Sequence, residues 1–176
     1  YAWGRNNYGQ LGDGTSVQRN TPIQVKGVGG IGYLENIEQV FVDANTNSIY
    51  AIDLNKNLYA WGRNNYGQLG DGTTTNSSTP IQVKGVDGVG YLQNIEQVST
   101  SSFYNSSYVS VYALGSGGKL YAWGYNGSGQ LGDGTMTDRS TPVQVKGVGG
   151  EGYLENIEQF FNYSFSYFNY IYNNYN

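Results

Sequence analysis

Short apolar runs separated by turn residues recur along the chain. Residues 58–61 read Leu-Tyr-Ala-Trp and end at Gly62, and the runs 49–52 and 109–114 are also short and rich in Ile, Val and Tyr. Such runs, bounded by Gly and Asn, are typical of strands. Residues 79–83, Thr-Pro-Ile-Gln-Val, predict an edge strand, because Pro has no N–H for the ladder. The pattern therefore predicts an all-β protein with tight connections.

The apolar pattern belongs to a repeat. The block 1–39 returns without gaps at 59–97 and 121–159, each time opening with Tyr-Ala-Trp-Gly and containing Gly-Gln-Leu-Gly-Asp-Gly-Thr. Poorly matching segments follow each block, at 40–58, 98–120 and 160–176. This divides one domain into three repeats, 1–58, 59–120 and 121–176. About four short strands per repeat is the content of one propeller blade.

The variable segments differ in kind. Residues 40–58 are an ordinary polar and aliphatic mixture, whereas residues 99–108 are rich in Ser and Tyr. Residues 160–176 use only Phe, Asn, Tyr, Ser and Ile, and their aromatic residues alternate with polar ones before the phase shifts. Alternation at period two predicts strands with one aromatic face and a turn or bulge near Tyr167.

Composition narrows the possible chemistry. Charged residues are 12% of the chain, the net charge is −4, and the nine basic residues are dispersed, which argues against a nucleic-acid footprint. Cys and His are absent, so disulfides, thiol nucleophiles, imidazole catalysis and the common zinc or copper ligand sets are excluded. No apolar run is long enough for membrane insertion. We expect no cofactor, no metal and no enzymatic activity.

The repeat resembles a known family. The sequence YAWGRNNYGQLGDGTTTNSSTPIQVKGV, followed by NIEQV, a variable stretch and a further YAWG, is similar to repeats of the regulator of chromosome condensation (RCC1) family. The resemblance covers essentially the whole chain and implies a β-propeller with four strands per repeat. It does not select a function, because the family scaffold serves many. The Asn/Thr/Ser-rich, weakly charged composition resembles that of bacterial exported members more than that of the eukaryotic exchange factor. This resemblance implies an extracellular or cell-surface location.

Three repeats are too few to close a propeller ring. The sequence begins on the Tyr-Ala-Trp-Gly strand of one blade and ends on residues that would precede that strand in another. We therefore expect complementary half-blades, which two or more copies would join head to tail as a ring or, if the rotation does not close, a fibre. The alternative is that these residues are a piece of a longer repeat protein.

Candidate residues fall into two sets. One set recurs at fixed repeat positions and is predicted to form the core of the blades, while Asp13, Asp71 and Asp133 are predicted to form turns rather than a calcium site. The predicted core residues are Trp3, Trp61, Trp123, Leu11, Leu69 and Leu131. The other set is aromatic and variable, and is predicted to form a binding or assembly surface. It comprises Phe103, Tyr104, Tyr108, Phe161, Tyr163, Phe165, Tyr167, Tyr170 and Tyr172.

Two functional hypotheses follow. The first is a non-enzymatic structural scaffold that self-associates head to tail as a homo-oligomer or polymer. The second is a binding module or inhibitor that recognises a protein or a glycan through its Tyr/Asn/Ser-rich variable segments. The aromatic tail also fits a subunit interface or a low-complexity, aggregation-prone end. Guanine-nucleotide exchange would rest on family analogy alone.

Overall fold

A computed structural model describes residues 1–42, 46–102, 108–162 and 169–172. Side chains of the last two strands, between 159 and 172, lie outside that description. The described residues form antiparallel strands, and their helical turns are the short 3₁₀ segments Val28–Gly30, Val86–Gly88 and Val148–Gly150. No helix in these ranges is long and apolar enough to cross a membrane.

The strands follow the repeat closely. Their bounds are β1 Ala2–Gly4, β2 Arg19–Ile23, β3 Ile37–Val42, β4 Ser48–Asp53, β5 Leu58–Gly62, β6 Ser77–Gln82, β7 Ile95–Ser102, β8 Val109–Gly115, β9 Lys119–Gly124, β10 Arg139–Gln144, β11 Gln159–Asn162 and β12 Asn169–Tyr172. The predicted Leu-Tyr-Ala-Trp-Gly strand is β5, and it stops at Gly62 because that residue has a φ of 101°. The predicted edge strand is β6.

The described strands form two complete blades and two half-blades. Blade 1 has the order β3-β4-β5-β6, and blade 2 has the order β7-β8-β9-β10. The pair β1-β2 corresponds to the last two strands of a blade, and the pair β11-β12 corresponds to the first two. Each blade thus begins in one repeat and ends in the next, and the predicted all-β propeller architecture is confirmed.

The core lies between the blades. Blade 1 contributes residues such as Tyr50, Ile52 and Leu58, and blade 2 contributes Val111 and Trp123, to one buried apolar cluster. Residues of β8 alternate between two buried apolar clusters because both faces of this strand are covered, and β4 is likewise buried on nearly every residue.

Trp3 departs from the predicted core. Trp61 is 3% exposed, and Trp123, Leu11, Leu69 and Leu131 are also buried, but Trp3 is 63% exposed. Trp61 is buried by the glycine-rich loop of the repeat before it. Within the described part of the chain, Trp3 has no such loop packed against it, and this accounts for its exposure.

Candidate interaction surfaces

A buried asparagine holds the glycine-rich loop of every repeat together. The Nδ2 of Asn64 donates to the carbonyl oxygens of Thr73 at 3.2 Å and Thr75 at 3.0 Å. Its Oδ1 accepts the backbone N–H of Leu69 at 2.8 Å. Asn6 and Asn126 make the same bonds in their own repeats. The buried amide satisfies backbone groups that a loop of this shape would otherwise leave unpaired.

The aspartate of the same loop forms hydrogen bonds and an ion pair with residues of its own repeat. Asp133 Oδ1 accepts the backbone N–H of Thr135 at 2.9 Å, and Arg139 pairs with Oδ2 at 2.7 Å. Burial alone would raise the pKa of Asp133, but hydrogen bonds from Thr135 and then Arg139 outweigh it and lower that pKa. In the described ranges, no three Asp or Glu side chains converge as metal ligands would. The loop aspartate therefore forms a turn.

Neighbouring repeats meet at a joint that contains one tryptophan. Trp61 Nε1 donates to the carbonyl oxygen of Gln10 at 3.0 Å, and Trp123 Nε1 donates to that of Gln68 at 2.8 Å. In each case the donor lies one repeat after the acceptor. The tryptophan is thus the residue by which each repeat binds the loop of the repeat before it.

Three tyrosines cluster across the joint between the second and third repeats. The ring centroids of Tyr108 and Tyr125 are 4.5 Å apart, and that of Tyr66 lies 5.2 Å from Tyr108 and 5.4 Å from Tyr125. Tyr108 is 42% exposed. Burial, and then the neighbouring Tyr108, raise the pKa of Tyr66 above its ordinary 10.0. We call Tyr66, Tyr108 and Tyr125 the tyrosine cluster.

The cluster sits where the variable loops emerge. Tyr108 precedes β8, and Tyr125 follows β9, so both lie at the end of blade 2 where the connection from β7 to β8 begins. The same geometry at the preceding joint places the Arg63 guanidinium over the Tyr8 ring, 5.0 Å from its centroid. One end of the blades therefore carries both the variable segments and the aromatic contacts between repeats.

The predicted aromatic surface is described only in part. Tyr108 belongs to the tyrosine cluster. On the strand pair, Phe161 is opposite Tyr170 and Gln159 is opposite Tyr172 in the register of β11 and β12. The remaining predicted residues, Phe103, Tyr104, Tyr163, Phe165 and Tyr167, lie outside the described residues, as does the turn predicted near Tyr167.

Sequence reasoning missed Tyr66 and Tyr125 as partners of Tyr108. Tyr66 belongs to a fixed block whose pattern predicts turn residues, and Tyr125 replaces the arginine found at Arg5 and Arg63. That replacement was the available signal. At the preceding joint the same two repeat positions hold Tyr8 and Arg63, so a change at one of them alters a contact between repeats.

These blades and joints define a β-propeller repeat protein. The family model described as "Regulator of chromosome condensation (RCC1) repeat" matches residues 1–42, 56–105 and 111–160. The chain therefore belongs to the RCC1 repeat family, as the resemblance of its motifs predicted.

The curated relatives that match the chain are proteins with different names. The chain is 32% identical over 151 residues to the Ultraviolet-B receptor UVR8 of Arabidopsis thaliana, covering 86% of this chain and 31% of the relative. It is 28% identical over 151 residues to the human E3 ubiquitin-protein ligase HERC2, covering 86% of this chain and 3% of that protein. The chain thus spans less than a third of the length of these relatives.

Solved structures support the fold. Human WBSCR16 superposes with a TM-score of 0.58 at 23% identity, covering 81% of this chain and 31% of that one. Prp20p of Saccharomyces cerevisiae superposes with a TM-score of 0.56 at 18% identity, covering 84% of this chain and 34% of that one. Prp20p is described as having binding properties towards Gsp1p and histones.

Proposed function

We propose that the chain is a non-enzymatic RCC1-repeat scaffold whose copies assemble head to tail. The strands β11 and β12 of one copy complete the blade of which β1 and β2 of the next copy are the other half. The catalytic acid, base and nucleophile sets that need His or Cys are absent from the sequence, which supports a structural role.

The observation that carries the proposal is an apolar cleft between the half-blade β1-β2 and blade 1. The cleft has a volume of about 480 Å³ and is lined by residues that include Trp3, Val40 and Ile49. Val40 is 56% exposed, whereas Val98, its counterpart on β7, is 3% exposed. Val98 is covered because the blade beside it, blade 1, has all four of its strands.

The free edge of the half-blade points to what fills the cleft. In blade 1, β5 pairs with β4 on one side and β6 on the other. Its counterpart β1 pairs only with β2 among the described strands. The strand pair β11-β12 of a second copy would supply the first two strands of this blade. It would pair with the free edge of β1 and cover the exposed Val40, as strand addition does in other complexes.

The mass of the particle tests the assembly. Light scattering over a range of protein concentrations should show a mass that rises above one chain, and electron microscopy should show rings or fibres. Val40→Lys should hold the protein at the mass of one chain, because it places a charge in the cleft. Val89→Lys is the matched control, since Val89 is also exposed but lies on a loop outside the cleft. A monomer at high concentration would contradict the proposal.

The tyrosine cluster favours a second candidate function, a binding module for a protein or a glycan. Tyrosines contribute large contact areas at low cost in side-chain entropy, and these three lie beside the variable segments. Screening against immobilised glycans and peptides should yield a ligand whose binding Tyr108→Ala abolishes. Tyr153→Ala is the matched control, since Tyr153 is an exposed tyrosine outside the cluster. Equal loss of binding in both variants would contradict this assignment.

A further inference from the structure

The loop aspartate of the first repeat binds an arginine of the same repeat. Nε and Nη2 of Arg19 donate to Asp13 Oδ2 at 2.9 and 2.7 Å. Nη2 also lies 3.4 Å from the hydroxyl oxygen of Thr15. The carboxylate and the neighbouring hydroxyl therefore form an acceptor set that fits one planar guanidinium.

The third repeat builds the same contact. Nε of Arg139 donates to Asp133 Oδ2 at 2.7 Å, and Nη2 lies 2.7 Å from the same oxygen. Nη2 is again 3.4 Å from a threonine hydroxyl, that of Thr135. The side chains of Asp13 and Asp133 are only 7% and 5% exposed. The contact between guanidinium and carboxylate is thus a built feature of the loop rather than a fully solvated surface pair.

The second repeat has the same acceptors without the arginine. Its loop aspartate is Asp71 and its threonine is Thr73, but Ser77 stands at the position of Arg19. The Ser77 hydroxyl donates to a backbone carbonyl of its own strand, β6. In the part of the chain that the structure describes, no cation lies within ion-pair distance of the Asp71 carboxylate. Serine is too short to occupy the place that the guanidinium fills in the other two repeats.

The acceptors of the second repeat nevertheless keep the arrangement that binds arginine elsewhere. The buried Asn64 amide lies 3.2 Å from Asp71 Oδ1, and the corresponding distance is 3.2 Å in both other repeats. The Thr73 hydroxyl is 2.8 and 2.9 Å from the two carboxylate oxygens, against 2.7 and 2.9 Å in the third repeat. The carboxylate is therefore held in place without its cation, and such preorganisation lowers the cost of binding.

A second change beside this loop adds a negative charge. A Cβ on Gly72 would lie 3.7 Å from the Thr141 methyl group, and one on Gly88 would lie 3.5 Å from the same methyl group. The residue before Gly88 is the exposed Asp87, where the other two repeats have glycine. Relative to the first repeat, the second therefore loses a cation and gains an anion at these two positions, which favours a cationic ligand.

We infer that Asp71 and Thr73 form a binding site for an arginine side chain of a partner protein. The guanidinium takes the place that Arg19 has in the first repeat, so Nε and Nη2 donate to Asp71 Oδ2 and Nη2 also donates to the Thr73 hydroxyl. Arginine fits better than lysine because its planar fork directs several N–H groups at one carboxylate and its neighbour. The net charge of −4 favours the approach of a basic segment. The contact does not depend on the proposed head-to-tail assembly.

An NMR titration of the isotope-labelled chain measures the contact. The probe is acetyl-Gly-Arg-Gly-amide, and the same peptide with lysine in place of arginine is its matched control. The backbone amide signals of Asp71 and Thr73 should move, while those of Thr15 and Thr135 should not, since their loops already hold an arginine. The lysine peptide should bind at least about fivefold more weakly. Equal binding of both peptides, or no movement at about 10 mM arginine peptide, would overturn the inference.

Two substitutions separate this site from a general attraction of the peptide to an acidic chain. Ser77→Arg supplies the arginine that the other two repeats have, so it should weaken peptide binding at least about tenfold without lowering the thermal midpoint. Asp71→Asn keeps the shape of the side chain but removes its charge, and it should weaken binding about tenfold, as expected for one charge-assisted hydrogen bond. A folded Ser77→Arg variant that binds the peptide as the wild type does would refute the site.

Arg19→Ser should create a second site. It removes the internal partner of Asp13 and leaves Thr15 in place, so the Thr15 amide signal should now move with the arginine peptide. The thermal midpoint of the variant shows whether the chain stays folded. If the Thr15 signal of the folded variant stayed fixed, the carboxylate and hydroxyl would not be enough to bind arginine, and the assignment to Asp71 and Thr73 would fall with it.

Discussion

Removing the side chain of Asn64 should unfold the glycine-rich loop of the second repeat. Asn64 is fully buried, and its amide bonds to Thr73, Thr75 and Leu69. Asn64→Ala removes both Nδ2 donors and the Oδ1 acceptor together. The N–H of Leu69 then stays buried in the loop with no side-chain acceptor.

The magnitude follows from those bonds. Three hydrogen bonds at about 0.7–1 kcal/mol each, plus about 1–2 kcal/mol for leaving a buried N–H unpaired, give a loss of about 3–5 kcal/mol in the free energy of unfolding. Native domains have about 5–15 kcal/mol in total, so this is a large share. With a urea m-value of about 2 kcal/mol/M, the midpoint should fall by about 1.5–2.5 M.

Urea unfolding followed by tryptophan fluorescence measures the loss. Asn65→Ala is the control, since Asn65 is the exposed neighbour of Asn64 and should change the free energy of unfolding by no more than about 0.5 kcal/mol. Both variants should be compared with wild type at one protein concentration, so that assembly contributes equally. If Asn64→Ala moved the midpoint no further than Asn65→Ala, the buried amide would not be what holds the loop.

Three further predictions concern the pH range, the joint between copies and the glycine contact. Because the folded-state pKa of Asp133 is below its ordinary 3.8, the stability it confers is present above that value and is lost as pH falls through the folded-state pKa. Asp133→Asn should therefore flatten the acid side of a stability–pH curve. In the proposed assembly, Ser128 occupies the repeat position of Tyr8 and would face Arg5 of a second copy as Tyr8 faces Arg63. Ser128→Tyr should therefore tighten assembly about two- to fivefold in light scattering, from a contact of about 0.5–1 kcal/mol. Gly67→Ala should cost about 1–3 kcal/mol in urea unfolding, because its Cβ would lie 2.5 Å from the Cα of Ser140.

The strands were predictable because their signals are local. The apolar run from Leu58 to Trp61, stopped by Gly62, indicates the bounds of β5, and the proline at position 80 identifies β6 as an edge strand. The half-blades were predictable because the repeat shows where each blade is cut. Neither inference needs knowledge of what lies opposite a residue in space.

The role of Asn64 was not predictable because it depends on whether the side chain points into the loop or towards solvent. The local pattern marks Asn64 and Asn65 alike as turn residues, yet one is buried and the other exposed. Comparison among repeats carried the signal: the buried position is asparagine in every repeat, whereas its neighbour becomes Gly127 in the third. The exposure of Trp3 was missed for a related reason, since a repeat position is buried only when another repeat covers it.

The sequence did not predict which tyrosines meet in the cluster, because its members belong to different blades. Tyr66 and Tyr125 are far apart in sequence and meet only where two blades pack side by side. Their contact depends on the path of the β-sheets, which the repeat period does not specify. The variable segment alone identified Tyr108 as part of a surface.

The proposed assembly and the proposed ligand binding would use different parts of these blades. The cleft lies at the side, where one blade faces the next, whereas the tyrosine cluster lies at the end where the variable segments emerge. Family membership explains the contacts at the sides of the blades, since the repeated residues form the joints. It does not identify a ligand.

An assembly would present one tyrosine cluster per copy, so it would bind a multivalent target more tightly than a single chain does. Val40→Lys should therefore weaken binding to a multivalent surface while leaving binding to a monovalent ligand unchanged. Tyr108→Ala should weaken both, and it should leave the mass of the assembly as it is.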